Sequence, residues 1–204
     1  MPKITDEKRA ARQMQILEAA WSCFQKQGLH ATTMSDIIAA SHLSAGAVYS
    51  YFPSKEELIL AAVKASLTGL RERVEPLLNT APLPSPARLV EDIAGAVTDF
   101  TSREGYDLRR VALLGWSEAQ RNEHLRETMQ VYYLAFRARL DDIVEHWKRA
   151  GEIPKTAGDG DVAKALLSMI LGFVVQSAIT GDISAKDLAR GLHDLVRREG
   201  ADAA

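Results

Sequence analysis

The sequence predicts an all-α fold. Apolar residues recur at three- and four-residue steps along almost all of the 204 residues, and β-branched runs alternating with period two are absent. Glycines, prolines and N-capping side chains also divide the chain into lengths ordinary for helices. No strand is expected.

The first helix is expected from Lys8 to Gln27. Met14, Leu17, Trp21 and Phe24 form its apolar stripe, Ile16, Ala20 and Cys23 widen it, and Gly28 supplies the stop. Cys23 reads as a small core residue. Thr33 with Asp36 makes the [ST]-x-x-[DE] start signal, in which a side-chain oxygen satisfies an orphan backbone N–H. A short helix, Met34 to Ala40, follows. Ser41-His42-Leu43 interrupts it, and Ser44 caps a third helix that turns Val48, Tyr51 and Phe52 inward until Pro53 ends it. Ser54-Lys55-Glu56-Glu57 is a second capping box, and it opens a helix through Leu58, Ala61, Ala62, Ala65 and Leu70 to Leu77.

Pro82, Pro84 and Pro86 make Asn79 to Pro86 a rigid loop. Five further helices are expected at Ala87–Ser102, Asp107–Glu118, His124–Ala150, Asp161–Thr180 and Ser184–Glu199, separated by Gly105, by Gly151 with Pro154, and by Gly181. The nine helices divide into a head, residues 1–53, and a larger lobe, residues 54–204.

Composition narrows the function. With 25 Lys and Arg against 27 Asp and Glu the formal net charge is -2, so bulk attraction to nucleic acid is excluded and any such role rests on a local motif. One cysteine closes no intrachain bridge, and the charged start, Met1 to Arg12, has no apolar stretch behind it. No run approaches the roughly 18 apolar residues of a membrane helix. A cytoplasmic protein without membrane association is the expectation.

Five histidines are scattered, with no H-E-x-x-H, no phosphate-cradling G-x-x-x-x-G-K and no G-x-G-x-x-G, so neither an enzyme nor a cofactor is expected. Gly158-Asp159-Gly160-Asp161 lacks a full calcium-loop pattern and reads as a solvated turn. Glu118, Glu123, Asp141 and Asp142 read as exposed helix charges.

Two short helices around a tight turn, the second polar-faced, form the geometry that lays a helix into the major groove of double-stranded DNA. Here that segment is Thr33 to Phe52. Ser44 leaves helix-start N–H groups suited to a phosphate oxygen. Small Ala45, Gly46 and Ala47 allow close approach to base edges, and Ala45 and Ala47 offer methyl groups to thymine. Tyr49 and Ser50 supply hydroxyls on the same face, and Lys55 a point charge. Phe52 reads as core, one turn from Val48, Tyr49 as a phosphate contact, and Tyr51 is divided between core and interface. Through Pro53, five basic residues against four acidic ones give +1, and the remainder, 20 against 23, gives -3. Lys8, Arg9 and Arg12 read equally as phosphate contacts or as a charged terminus.

The ordered pattern Thr32-Thr33-Met34-Ser35-Asp36-Ile37-Ile38, then Leu43 to Phe52, then Ser54 to Leu58, resembles the TetR family of bacterial transcriptional regulators over about residues 10 to 60. The resemblance implies that Thr33, Ala45, Gly46, Tyr49, Ser50, Tyr51 and Lys55 contact or border DNA. His42 stands where glycine is usual in the turn, Ile38 where a small residue is usual, and Ala45 where many relatives carry a charge. His tolerates the left-handed conformation better than most residues. Fewer charged base contacts leave more of the specificity to shape and water.

One helix-turn-helix reads half a site, so a homodimer on a palindromic operator is expected. The Asp161–Thr180 helix is apolar nearly all round, and the expected interface is Leu166, Ile170, Phe173 and Val174 with Leu188, Leu192, Leu195 and Val196 of the last helix. The resemblance implies a four-helix bundle there. A small, largely apolar or aromatic ligand is expected between helices, near Phe100, Trp116, Met129, Tyr132, Tyr133, Phe136, Phe173 and Gln176, with Tyr106 and Trp147 as further aromatics. A ligand-released repressor follows from the resemblance. The competing class is a helical adaptor without specific DNA binding.

Overall fold

The structure, a computed structural model, describes residues 6–196. Among them are nine α-helices: α1 (Asp6–Ala31), α2 (Met34–Ser41), α3 (Ala45–Tyr51), α4 (Lys55–Leu78), α5 (Pro86–Thr101), α6 (Leu108–Glu118), α7 (Glu123–Ala150), α8 (Asp159–Ile179) and α9 (Ala185–Val196). The end expected for the last helix at Glu199 and the side chain of Val196 lie outside the described residues.

The expected starts and stops recur in the structure because they are local chemistry. Gly28 breaks α1 at φ 80°, ψ 166°, and the chain turns once more before α2. Its carbonyl accepts from the hydroxyl of buried Thr32 at 2.7 Å. Thr33 and Asp36 cap each other reciprocally, Ser44 Oγ accepts from the Ala47 N–H at 3.3 Å, and Ser54 Oγ accepts from the Glu57 N–H at 3.1 Å.

Two features depart from expectation. A two-stranded antiparallel hairpin, β1 (Ser102–Arg103) and β2 (Tyr106–Asp107), stands where no strand is expected, turned by Gly105 at φ 84°. Two residues per strand leave no period to read. The stretch Gly160–Ile179 has a mean hydropathy of 1.9 and is by length and composition sufficient to cross a membrane, contrary to the expectation that no run approaches that size. Only Asp161 and Lys164 interrupt it with charge.

The chain forms two compact units. The first runs to Thr68 and takes in Ser102–Met129; the second is Gly69–Thr101 with the chain from Gln130 on. The first unit therefore reaches past the 53/54 boundary. Its core is the α1 stripe, Ile16, Leu17, Ala20, Trp21 and Phe24, with Ile37, Val48, Phe52, Leu58 and Ala62. Trp21 donates from its indole to the Ala62 carbonyl at 3.3 Å and packs on Tyr106, 6.2 Å between ring centroids. Burial pushes the Tyr106 phenol and the Cys23 thiol above their ordinary values.

In the second unit α5 packs against α8 and α9. Leu89, Val90, Ile93 and Val97 are buried, as are Leu140, Val144 and Trp147 of α7. The Trp147 indole donates to the Pro84 carbonyl at 2.9 Å, which anchors the proline loop. Gly69 admits the Phe100 ring so closely that a Cβ there would lie 2.8 Å from two ring carbons.

Candidate nucleic-acid interface

The turn between α2 and α3 is made by Ser41 and His42. The Ser41 hydroxyl donates to the Ile38 carbonyl at 2.9 Å and accepts from the Leu43 N–H at 3.3 Å. His42, at φ 56°, ψ 25°, is the one non-glycine residue with positive φ among the described residues. It occupies the left-handed capping position usual for glycine. From α1, the Gln15 amide donates to the Ser41 carbonyl at 2.8 Å and fastens the turn to the first helix.

The chain after this turn presents a small, open face. Ser44, Ala45, Gly46, Tyr49 and Ser50 are exposed and Ala47 is half-buried, while Val48 and Phe52 are buried behind them. A Cβ on Gly46 would meet nothing within 4 Å, so the head's own packing has no need of glycine there. Tyr49 is 46% exposed, as a phosphate contact requires, and half-buried Tyr51 stays between core and surface. The Ser50 hydroxyl donates to the Ala47 carbonyl at 2.6 Å, so towards a partner it offers its lone pairs first.

Thr33 is exposed at the start of α2. Its N–H and hydroxyl both donate to the Asp36 carboxylate, at 2.8 and 2.7 Å, and hold that group below the usual carboxylate range, the N–H contributing most. Glu56 is held low in the same manner, by its own N–H and then by the Ser54 hydroxyl.

Lys55 differs from expectation. Its ammonium donates to the carbonyls of His30 and Thr32, each at 3.0 Å, closing the end of α1 onto the start of α4. The same end is held from α6, where Glu118 meets the His30 ring at 3.1 Å. Glu118 is thus no exposed helix charge, being 14% exposed at its side chain. Asp141 also departs from that reading, with Oδ1 buried and unpartnered. Sequence reasoning missed the roles of Gln15 and Glu118 because their partners, Ser41 and His30, lie on other elements.

The ligand candidates are divided between the two units and line neither of the two grooves described below. Phe100, Met129 and Phe173 are buried, Trp116, Tyr132, Tyr133 and Phe136 half-buried, and Gln176 exposed. Trp116 and Met129 belong to the first unit and the other six to the second. Two open grooves in the second unit have other linings: about 560 Å³ beside Arg71, Glu72, Glu75, Pro76 and Asn79, and about 440 Å³ among residues that include Arg73, Glu91, Asp92, Asp99 and Lys186. No cluster of three or more metal-ligating side chains occurs among the described residues.

The dimer candidates require a correction. Leu166, Ile170, Phe173 and Val174 are buried within the chain itself, because an all-round apolar helix turns one side to its own core. Leu188 and Leu192 are half-buried, and Leu195 is 85% exposed. The outward face of α8 carries Ala165, Ser168, Gly172, Gln176 and Ile179 instead, with Ile179 68% exposed and open space beside Gly172.

Residues 16–62 match the family described as bacterial regulatory proteins, tetR family, and residues 86–200 match the C-terminal domain of BetI-type transcriptional repressors. The uncharacterized HTH-type transcriptional regulator YfiR of Bacillus subtilis is 30% identical over 92% of this chain and 90% of its own. GusR of Salmonella enterica, at 27% identity, superposes with a TM-score of 0.71 over 96% of this chain and 99% of its own. A regulator from Saccharomonospora viridis solved in complex with choline shares the fold, with 21% identity and a TM-score of 0.74 over 93% and 97% of the two chains.

Proposed function

The chain belongs to the TetR family of helix-turn-helix transcriptional regulators, with a C-terminal domain of the BetI repressor type, and from that premise we propose that it is a cytoplasmic repressor whose homodimer binds a palindromic operator and is released by a small molecule. The family is one of regulators, not of enzymes. The observation that carries the reading is the open face of α3, where Gly46 leaves the backbone free to approach base edges. Ser44, Ala45, Ala47, Tyr49, Ser50 and Tyr51 border that approach, Thr33 contributes from the start of α2, and Lys55 braces the head from behind.

Dimerisation is supported by the outward face of α8. Ala165, Ser168 and Gly172 are small enough for a second helix to lie close, and exposed Ile179 and Leu195 gain from being covered. The same need accounts for the apolarity of Gly160–Ile179 without a membrane. Two heads related by a two-fold axis read half-sites about 34 to 36 Å apart, and the operator inherits that symmetry.

Release requires a ligand that prefers the DNA-incompetent conformation, since a ligand indifferent to the two shifts nothing. Tyr132, Tyr133 and Phe136 of α7 are the aromatic surface from which its site would be built, and choline is a first compound to try because the similar fold from S. viridis holds it. A gel shift on duplex DNA from the upstream region of the protein's own coding sequence tests the reading. Binding well above that to random duplex at moderate salt is expected, and equal binding to both overturns it in favour of a helical adaptor. Light scattering at twice the chain mass is expected, and a concentration-independent monomer removes the dimer. Weakened operator binding with raised thermal stability identifies an inducer among the compounds tried.

A further inference from the structure

The residues of α3, Ala45 to Tyr51, include no guanidinium, carboxamide or carboxylate, so hydroxyls are the only hydrogen-bonding side chains that this helix brings to base edges. Ser50 carries the one that points furthest from the core. Gly46 and Ser50 lie two residues before and after buried Val48, each about 200° round the helix from it, and as i and i+4 they stand one above the other. Space beside Gly46 is open, and exposed Ser50 stands over that opening on the next turn. The neighbouring Thr33 hydroxyl is already engaged twice, donating to the Asp36 carboxylate and accepting from the Asp36 N–H. Ser50 is engaged on one side only. Its Oγ lies 2.6 Å from the Ala47 carbonyl oxygen, and a carbonyl only accepts, so the proton between them is the serine's. With that single proton used inside the helix, the hydroxyl presents lone pairs outward.

We propose that Ser50 is a specificity-determining residue that accepts a hydrogen bond from an exocyclic amine in the major groove, N6 of adenine or N4 of cytosine. The proposal rests on the DNA-binding reading of the head and adds to it which base group Ser50 takes. Guanine O6 and N7 and thymine O4 are acceptors, and each would set lone pair against lone pair. Every base pair carries one such amine, on one strand only, so the hydroxyl distinguishes the two orientations of a pair. Adenine or cytosine is kept on the strand facing Ser50, and exchanging the two bases between strands removes the donor. A serine with a free proton would serve either orientation by rotating, since a hydroxyl both donates and accepts. The bond to Ala47 turns that indifferent group into a selective one.

The test starts from the duplex that the full-length protein selects from a randomised library. Each base pair of the site is exchanged between strands in turn, and binding is measured by fluorescence anisotropy for the wild type, S50A and S50T. At one position of the half-site the wild type should lose about 5- to 150-fold on exchange, the range of a mismatched base pair. S50A should bind both orientations alike there and keep every other preference. S50T, whose hydroxyl can make the same bond to a carbonyl in the preceding turn, should retain the wild-type penalty. Hydrogen is then put in place of the amine at that position, as purine for adenine or 2-pyrimidinone for cytosine, which should weaken the wild type and leave S50A unchanged. S50A should melt no lower than the wild type, alanine being the better helix former. An exchange penalty equal in S50A and the wild type at every position overturns the proposal. A loss in S50A that is uniform across sequences and comes with a shallower salt dependence also overturns it, since that is the behaviour of a phosphate contact. If the wild type selects no sequence at all, the DNA-binding reading itself fails and the role of Ser50 falls with it.

Discussion

The Lys55 ammonium donates to the Thr32 carbonyl at 3.0 Å across 23 residues of chain. A cation in the first turn of a helix opposes the helix dipole, so Lys55 is placed for what it holds rather than for α4 itself. It satisfies carbonyls left over at the end of α1, Thr32 and His30, which the kink at Gly28 exposes. Lys55→Ala is expected to lower head stability by about 1–2 kcal/mol. DNA affinity should fall as the brace is removed, with the salt slope nearly unchanged. Thermal melts and salt titrations separate the two effects, and an unchanged melt with a shallower slope would return Lys55 to direct phosphate contact.

Gly46 pits folding against function. A helical glycine costs up to about 1 kcal/mol relative to alanine, and at this site an added methyl meets no neighbour. Gly46→Ala should therefore melt no lower than the wild type and bind the operator more weakly, because the methyl would stand between the backbone and the base edges. Lower stability with unchanged affinity would show that the residue serves the fold.

His42 adopts φ 56° at a cost that glycine does not incur. His42→Gly should stabilise the head by about 0.5–1 kcal/mol, the gain being reduced by the greater freedom of glycine in the unfolded chain. Urea unfolding is the measurement, with a higher midpoint and an unchanged slope. A lower midpoint would mean that the imidazole makes an interaction worth more than the strain.

Much of the head is legible in the sequence because its boundaries are written in neighbouring residues: Gly28 stops, Thr33 with Asp36 starts, Ser44 caps and Pro53 ends. Residues such as Lys55 and Glu118 are not legible, since a lysine bonding two carbonyls on another helix leaves no periodic trace. The α8 helix shows the limit most clearly. All-round apolarity announces that it is covered on more than one side, yet Leu166 and Ala165 read alike until the packing turns one inward and leaves the other exposed.

Acid should remove the start of α2. Thr33 donates its N–H and hydroxyl to ionised Asp36, so the folded chain favours the carboxylate and its pKa falls below the ordinary value. The resulting stability is fully present above the unfolded Asp value of about 3.9 and is lost as pH drops through the lower folded value. Wild type should melt above Asp36→Asn at neutral pH, and the gap should close below about pH 3.9. A gap that stays constant across this range would disprove the linkage.

Gly69 and Phe100 form a pair that decides how the second unit's aromatics are to be understood. The ring lies where a Gly69 Cβ would be, 2.8 Å from Cε2 and Cζ, and it is buried, so it fills core space instead of lining an open site. Gly69→Ala must displace a ring with little room to move and should cost about 1–3 kcal/mol by overpacking. Phe100→Leu alone should also destabilise, through the volume it removes. Combined, the two changes relieve each other, so the double variant should lose less than the sum of the single losses. A denaturation cycle measures that coupling, expected at about 0.5–3 kcal/mol. Simple additivity would mean that the ring leaves α4 readily, and only then would Phe100 regain a claim to the ligand site.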